Sequence, residues 1–272
     1  MGIPLIDRLF RRPPNRGPLP DEPPPGLPGL SLAEAATRTG WTAARLAQAD
    51  ALWGEGFIWP GGADEIKRLA APFGLSPAHS LLVLGDGAAG AARALAADLG
   101  AWISAYESDP ALHQAAEAWR RSGGLALAKR ATVALWDRAA PSFPVRGFHH
   151  ALLLETLPPG SAAPILDALV RAVKPGGQIV LVQTVRGAGE EAEIVAALAQ
   201  AGCDVRVVED ESTRHAHIVL AAWKHLLRRL RDARPAPSEA AALVQEAAIW
   251  LIRLRRLREG RLKVMRWGAI AG

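Results

Sequence analysis

Cysteine and tyrosine are nearly missing: Cys203 and Tyr106 are the sole examples of each among 272 residues. A single thiol can neither close an internal disulfide nor build a cysteine-rich zinc site, so the composition predicts a protein of a reducing compartment, read as cytoplasmic. Long apolar runs are missing too, since no uninterrupted stretch approaches the roughly 18–20 residues of a membrane-spanning helix. The opening MGIPLIDRLFRRPP has too short an apolar stretch for a secretory signal and places its arginines after that stretch. What is present, 50% apolar and 22% charged residues, is ordinary globular usage and excludes collagen, coiled coil and wholesale disorder.

The net charge of +5 hides an asymmetry. Residues 222–272 hold 12 Lys and Arg against 4 acids, so that segment carries +8 and the rest of the chain −3. A basic end suits a solvated helix face, an anionic membrane surface or a phosphorylated small molecule. Nucleic acid is not expected as a partner, because no stacking aromatics interleave with the basic residues and no binding motif is present. Peripheral contact with anionic membrane through the basic C-terminal helix is retained as an expectation, with vesicle sedimentation as its check.

Residues 13–28 are too rich in proline to pack, and residues 1–30 are predicted as a flexible tail, with structure beginning near Leu30. Helices are predicted over residues 41–53 and 63–73. From Ser80 onward short apolar runs alternate with helical patterns, the signature of a parallel sheet covered on both faces. The predicted strands are 81–84, 101–106, 132–136, 150–154, 178–183 and 205–208, with helices at 90–99, 110–121, 162–173 and 190–201. Beyond Asp210 an amphipathic helix reaches residue 230. A second, 238–258, carries Ile249, Trp250, Leu251 and Leu254 on one side and arginines, Arg253 among them, around the rest. Residues 262–270 form a last strand.

In such a sheet a ligand sits beyond the carboxyl ends of the strands, where strand order reverses. The segment SLLVLGDGAAGAARAL, 80–95, is a strand, a glycine turn and a helix start. Gly85 and Gly87 let the backbone approach a ligand, and Gly90 lets the helix pack on the sheet. Glu107 ends the next strand, where an acid can accept both hydroxyl protons of a ribose, and Asp137 ends the third, where a carboxylate can meet an adenine amino group. One glycine turn and two strand-end acids describe an adenosine pocket. The spacing also satisfies the dinucleotide fingerprint, so both NAD and S-adenosylmethionine fit at this point. Glu155, at the carboxyl end of the fourth strand, is the candidate to orient an acceptor or take its proton. Trp223, Trp53, Trp59 and Trp250 are candidates to line an apolar acceptor pocket. His149 and His150 start the fourth strand, away from that edge, and His215 and His217 are spaced two apart, which does not make a metal pair on a helix.

Over roughly residues 50–270 the chain resembles the class I S-adenosylmethionine-dependent methyltransferases. LLVLGDGAAG resembles that family's first motif, YESDP (106–110) its ribose-binding acidic motif, LWD (135–137) its adenine-binding motif, and LVRAVKPGGQIVLVQ (169–183) its helix, turn and fifth strand. The resemblance implies a Rossmann-like, doubly wound, mostly parallel sheet with an antiparallel last strand and a helical cap after the sixth strand. It implies S-adenosyl-L-methionine as cofactor and a small-molecule acceptor, with Asp86, Ser108, Arg138 and Leu154 joining Gly85, Gly87, Glu107 and Asp137 around the cofactor. LWGEGFIWPGG (52–62) and GRLKVMRWGAI (260–270) are similar to segments of the small-molecule, phosphoethanolamine-type N-methyltransferases. By that likeness Ile58 and Trp59 cover the cofactor and Arg266 faces an anionic substrate group. The implied organisation is a tail (1–30), helices and lid (31–79), a cofactor-binding core (80–210), a basic helical cap (211–260) and a last strand (261–272). The chain departs from the pattern at Val83, usually an acid, at Ala89, usually glycine, and at Pro159, where those N-methyltransferases place a histidine. A non-catalytic methyltransferase-like subunit is the alternative.

Overall fold

The computed structural model describes residues 40–122, 129–230 and 236–272. The predicted proline-rich tail and the predicted start of structure near Leu30 lie outside the described residues.

Among the described residues two helices lead in. Helix α1 (Ala43–Trp53) starts where the Thr42 hydroxyl accepts the Arg45 N–H, and α2 (Gly62–Ala70) tightens into a 3-10 turn at Ala71–Phe73, where Pro72 lacks the amide hydrogen to continue. The core then alternates: β1 (Ser80–Leu84), α3 (Gly90–Leu99), β2 (Trp102–Glu107), α4 (Pro110–Ser122), β3 (Ala131–Leu135), β4 (His150–Leu154), α5 (Ala162–Ala172), β5 (Gln178–Val185), α6 (Ala188–Gln200) and β6 (Cys203–Asp210). Two long helices follow, α7 (Ser212–Leu230) and α8 (Pro237–Arg258), and β7 (Lys263–Ala271) closes the described chain.

The seven strands lie in the order β3-β2-β1-β4-β5-β7-β6. The first five are parallel to one another, whereas β7 runs antiparallel between β5 and β6. Leu81–Leu84 are all buried, because helices cover both faces of a parallel sheet, and this is why β1 reads as an unbroken apolar run. One core joins Ile66, Leu69, Leu95, Trp223 and Trp250 on the face covered by α1, α2, α3, α7 and α8. The other joins Leu153, Leu166, Leu169, Leu198 and Trp267 beneath α5 and α6.

The strand and helix expectations agree with these elements to within a few residues, and β6 departs furthest. It spans eight residues where four were predicted, and a bulge lies between Val205 and Val207. As an edge strand, β6 buries few of its side chains, so its length is set by backbone pairing with β7 rather than by an apolar pattern. The reversal of strand order falls between β1 and β4, and their carboxyl ends, Gly85 and Glu155, open onto the site.

Candidate active site

The glycine turn after β1 has no spare room. A side chain on Gly87 would put its first carbon 2.6 Å from Ile58, and one on Gly90 would stand 2.7 Å from the Gly56 backbone. Gly56 is held from below as well, since its carbonyl accepts the N–H groups of Ala88 and Gly90, each at 3.1 Å, and its own N–H donates to Asp50 at 2.8 Å. The segment between α1 and α2 is therefore docked backbone to backbone on the turn, which sets Ile58 and Trp59 over the end of β1.

Those elements enclose a cavity of 260 Å³. One part of its wall comes from the turn, β2, β3 and β4: Ile58, Trp59, Gly85, Glu107, Arg138 and Leu154, with Asp109, Leu112 and Thr156 beside them. The other part comes from the helices, with Trp41 and Arg45 before and within α1, and Glu246, Ile249, Trp250 and Arg253 from one face of α8. Positions 246, 249, 250 and 253 repeat at helical spacing, so a single side of α8 supplies all four.

Glu107 is buried on this wall. Its carboxylate accepts the N–H groups of Gly87 at 3.0 Å, Ser108 at 2.9 Å and Asp109 at 3.4 Å. Burial raises its pKa, and the three N–H groups and Arg138 oppose the rise. Arg138 donates from Nε to the Ser108 hydroxyl at 2.7 Å, which places its guanidinium beside Glu107. Gly87 and Ser108 thus act from behind the wall, Gly87 through its amide and Ser108 through both its amide and its hydroxyl.

Glu155 stands at the end of β4 with φ of 53°, a left-handed conformation that costs a residue with a Cβ roughly 1–2 kcal/mol. Its N–H is held by the Val182 carbonyl at 2.9 Å. The carboxylate accepts the Thr184 hydroxyl and the Arg253 guanidinium, and the same guanidinium nitrogen reaches Thr184. Arg253 lies over the Trp250 ring at 5.4 Å. Beside this group, Arg45 donates to Glu246 at 2.9 Å, and Glu246 also accepts the Trp250 indole N–H at 2.9 Å.

Five predicted site residues lie elsewhere, Trp53 among them, buried in the core edge-on to Trp250 with ring centres 5.2 Å apart. Asp86 is buried behind the turn, where its carboxylate accepts the N–H groups of Ala91 at 2.6 Å and Ala92 at 2.9 Å, satisfying the open start of α3. Burial pushes its pKa up to about 7 against the pull of those two N–H groups. Asp137 is exposed and folds back on its own turn, accepting the Ala139 N–H at 2.8 Å. Trp223 is wholly buried in the core beneath α1 and does not reach the cavity. Arg266, set between β5 and β6 on β7, pairs with Glu209 at 2.6 Å and lies 3.1 Å from Glu211, so its charge is spent within the sheet edge.

Conversely, Trp41, Arg45, Glu246, Thr184 and Arg253 come to the site without having been foreseen. The apolar pattern of α8 was visible, but Arg253 was counted with the solvated arginines. Trp59 and Trp250 also flank His215, with ring centres 5.4 and 6.0 Å away. Burial and the nearby Arg253 charge push His215 down to about 3, so the imidazole is neutral. His149 and His150 sit at the opposite edge of the sheet, as expected, where each Nδ1 accepts a backbone N–H.

No protein-family model and no curated protein sequence matches the chain. Solved structures do. A phosphoethanolamine N-methyltransferase 2 from Haemonchus contortus, in complex with phosphomonomethylethanolamine and S-adenosylhomocysteine, superposes with a TM-score of 0.74 at 19% identity over 90% of this chain. This chain spans 61% of the length of that protein. A putative sarcosine dimethylglycine methyltransferase from Galdieria sulphuraria matches 77% of this chain and 85% of its own, with a TM-score of 0.61 at 15% identity. The geranyl diphosphate C-methyltransferase of Streptomyces coelicolor gives 0.58 at 14% identity over 77% of this chain and 79% of its own. With its seven-stranded sheet, antiparallel last strand and flanking helices, the chain has the Rossmann-like fold of these methyltransferases.

Proposed function

We propose that the protein is an S-adenosylmethionine-dependent methyltransferase that acts on nitrogen or oxygen of a small molecule. The observation that supports this most directly is Glu107. It is a buried carboxylate on the wall of a cavity at the strand-order reversal, fixed by three backbone N–H groups next to a glycine turn with no space for a side chain. A ribose diol is the natural partner for such a carboxylate. The nearest wall residues fit the rest of an adenosyl group: Leu112 and Leu154 offer apolar contact, Arg138 and Asp109 polar contact, and Ile58 and Trp59 a cover.

S-adenosylmethionine, when bound, supplies an electrophilic methyl group. The chain then has three tasks: to orient the acceptor, to exclude water and to take a proton from an O–H or N–H acceptor. The docked segment bearing Ile58 and Trp59 excludes water. Glu155 holds or receives the acceptor proton, and Arg253 and Thr184 fix the direction of its carboxylate. Glu155→Gln keeps the shape and removes the proton acceptor, so turnover is expected to fall by roughly 10²–10⁴-fold. A variant with full turnover removes Glu155 from the mechanism.

The cofactor assignment is tested by calorimetric titration with S-adenosylhomocysteine and, separately, NAD, repeated on Glu107→Ala. The expected result is micromolar binding of S-adenosylhomocysteine, no comparable binding of NAD, and loss of binding in the variant. Preference for NAD would make the protein an oxidoreductase. The absence of both would favour the non-catalytic subunit, the reading to which Ala89 lends support: it occupies a left-handed conformation, φ of 66°, in the turn where glycine is usual.

A further inference from the structure

We propose that the acceptor is an uncharged molecule with a flat aromatic body, held against the α1–α8 side of the cavity, and not a phosphorylated amino alcohol. This rests on the methyltransferase reading and narrows its substrate class.

The argument is one of charge. The cavity wall presents three guanidiniums, Arg45, Arg138 and Arg253, against four carboxylates, Glu107, Asp109, Glu155 and Glu246. Arg138 lies at the ribose end with Glu107. The other two are already paired within the wall, Arg45 with Glu246 and Arg253 with Glu155. S-adenosylmethionine has one net positive charge from its sulfonium, which balances the single excess carboxylate of the wall, and S-adenosylhomocysteine, a neutral thioether, leaves that carboxylate in excess. Nothing is then left over for a dianion. A phosphate ester is recognised by guanidiniums free to fork onto its oxygens, and on the α1–α8 side the Arg45 and Arg253 guanidiniums would each first have to be pulled from a carboxylate that would remain behind as a repelling neighbour. Arg266, the arginine expected for that task, is spent on Glu209 and Glu211.

The apolar contribution of the same wall is large. Trp41, Ile249 and Trp250 line the cavity; the Trp250 N–H is bound to Glu246, and the guanidiniums of Arg45 and Arg253 lie over the Trp41 and Trp250 rings at 4.1 and 5.4 Å, which makes flat stacked surfaces of both. Such a wall suits a planar ring with one hydroxyl or amine, the group that Glu155 can receive.

The test uses the full chain saturated with S-adenosylhomocysteine, after calorimetry has confirmed that this ligand binds. Binding of 2-naphthol and of phosphoethanolamine is then measured by calorimetry and by quenching of tryptophan fluorescence. The expected result is that 2-naphthol binds at least tenfold more tightly than phosphoethanolamine and that Trp41→Ala weakens it at least fivefold. Phosphoethanolamine binding as tightly as 2-naphthol overturns the proposal, as does a complex with S-adenosylhomocysteine that takes up no 2-naphthol, or uptake indifferent to Trp41→Ala. Glu246→Gln provides the converse: with that carboxylate's charge removed from beside Arg45, phosphoethanolamine binding is expected to strengthen at least tenfold, and no gain counts against the charge argument. Circular dichroism checks both variants for folding, and the comparison of the two ligands on the unmodified chain stands without them. Failure of S-adenosylhomocysteine itself to bind is a separate outcome and overturns the methyltransferase reading.

Discussion

Residue by residue, acids that look alike in the sequence do unlike work. Glu107 ends β2, Glu155 and Asp137 follow the ends of β4 and β3, and Asp86 sits in the turn after β1, yet Glu107 and Glu155 alone among them reach the cavity. Local backbone donors turn Asp86 and Asp137 away from the cavity, whereas those that hold Glu107 leave it on the wall. Asp137 has the free N–H of Ala139 two residues away, and Asp86 has the unpaired amides at the start of α3. Neither competitor is visible until the turn geometry is known. Asp86 leads to a test in solution. In the unfolded chain it ionises near the ordinary value of about 4, whereas in the folded protein it holds its proton up to about 7. Between those limits the native state binds the extra proton, so its stability declines as pH rises through the window and is fully present only below it. Relative to Asp86→Asn, which has no such proton, the unmodified protein should lose roughly 1.4 kcal/mol per pH unit, about 4 kcal/mol across the window. Urea unfolding of both proteins from pH 4 to 8 measures the difference. A gap that does not change with pH would show that the buried carboxyl keeps its ordinary acidity.

Among elements, the strands and helices of the core were legible because their periodicities are dictated by two covered sheet faces. The contents of the acceptor side were not. A hydrophobic pattern tells which side of α8 is apolar, but Arg253 lies next to that side, and whether it meets water or another carboxylate depends on where the helix is laid. The same limit applies to Arg45, which finds Glu246 some 200 positions away in the chain. By contrast, the segment bearing Ile58 and Trp59 was read from its likeness to a known lid, it lines the cavity, and its attachment can be tested. Glycine to alanine within a helix ordinarily adds roughly 0.5–1 kcal/mol of stability. Gly90→Ala is expected to do the opposite here, since the added methyl would sit 2.7 Å from the Gly56 backbone and lift the segment off the turn. S-adenosylhomocysteine affinity should fall at least tenfold, about 1.4 kcal/mol. Undiminished affinity measured by calorimetry would mean that Ile58 and Trp59 do not depend on that docking.

For the whole molecule, the sheet was predicted with its antiparallel last strand, and the likeness to solved methyltransferases at 14–19% identity is a likeness of fold. The placement of β7 between β5 and β6 has a further consequence, for the order in which the molecule is made. Strands β1 to β5 can pair as they leave the ribosome, each beside a neighbour already synthesised, except that β4 must pass back across to β1. Strand β6 has no such neighbour: its partner, β7, begins at Lys263, after α7 and α8 have been completed. During translation β5 therefore presents a bare edge of eight residues, Val180 and Val182 among them, while β6 waits unpaired. Assembly order is inverted with respect to synthesis order in this half of the sheet, so a nascent chain stalled before Lys263 holds β5 and β6 with their β7 edges unpaired and open to association.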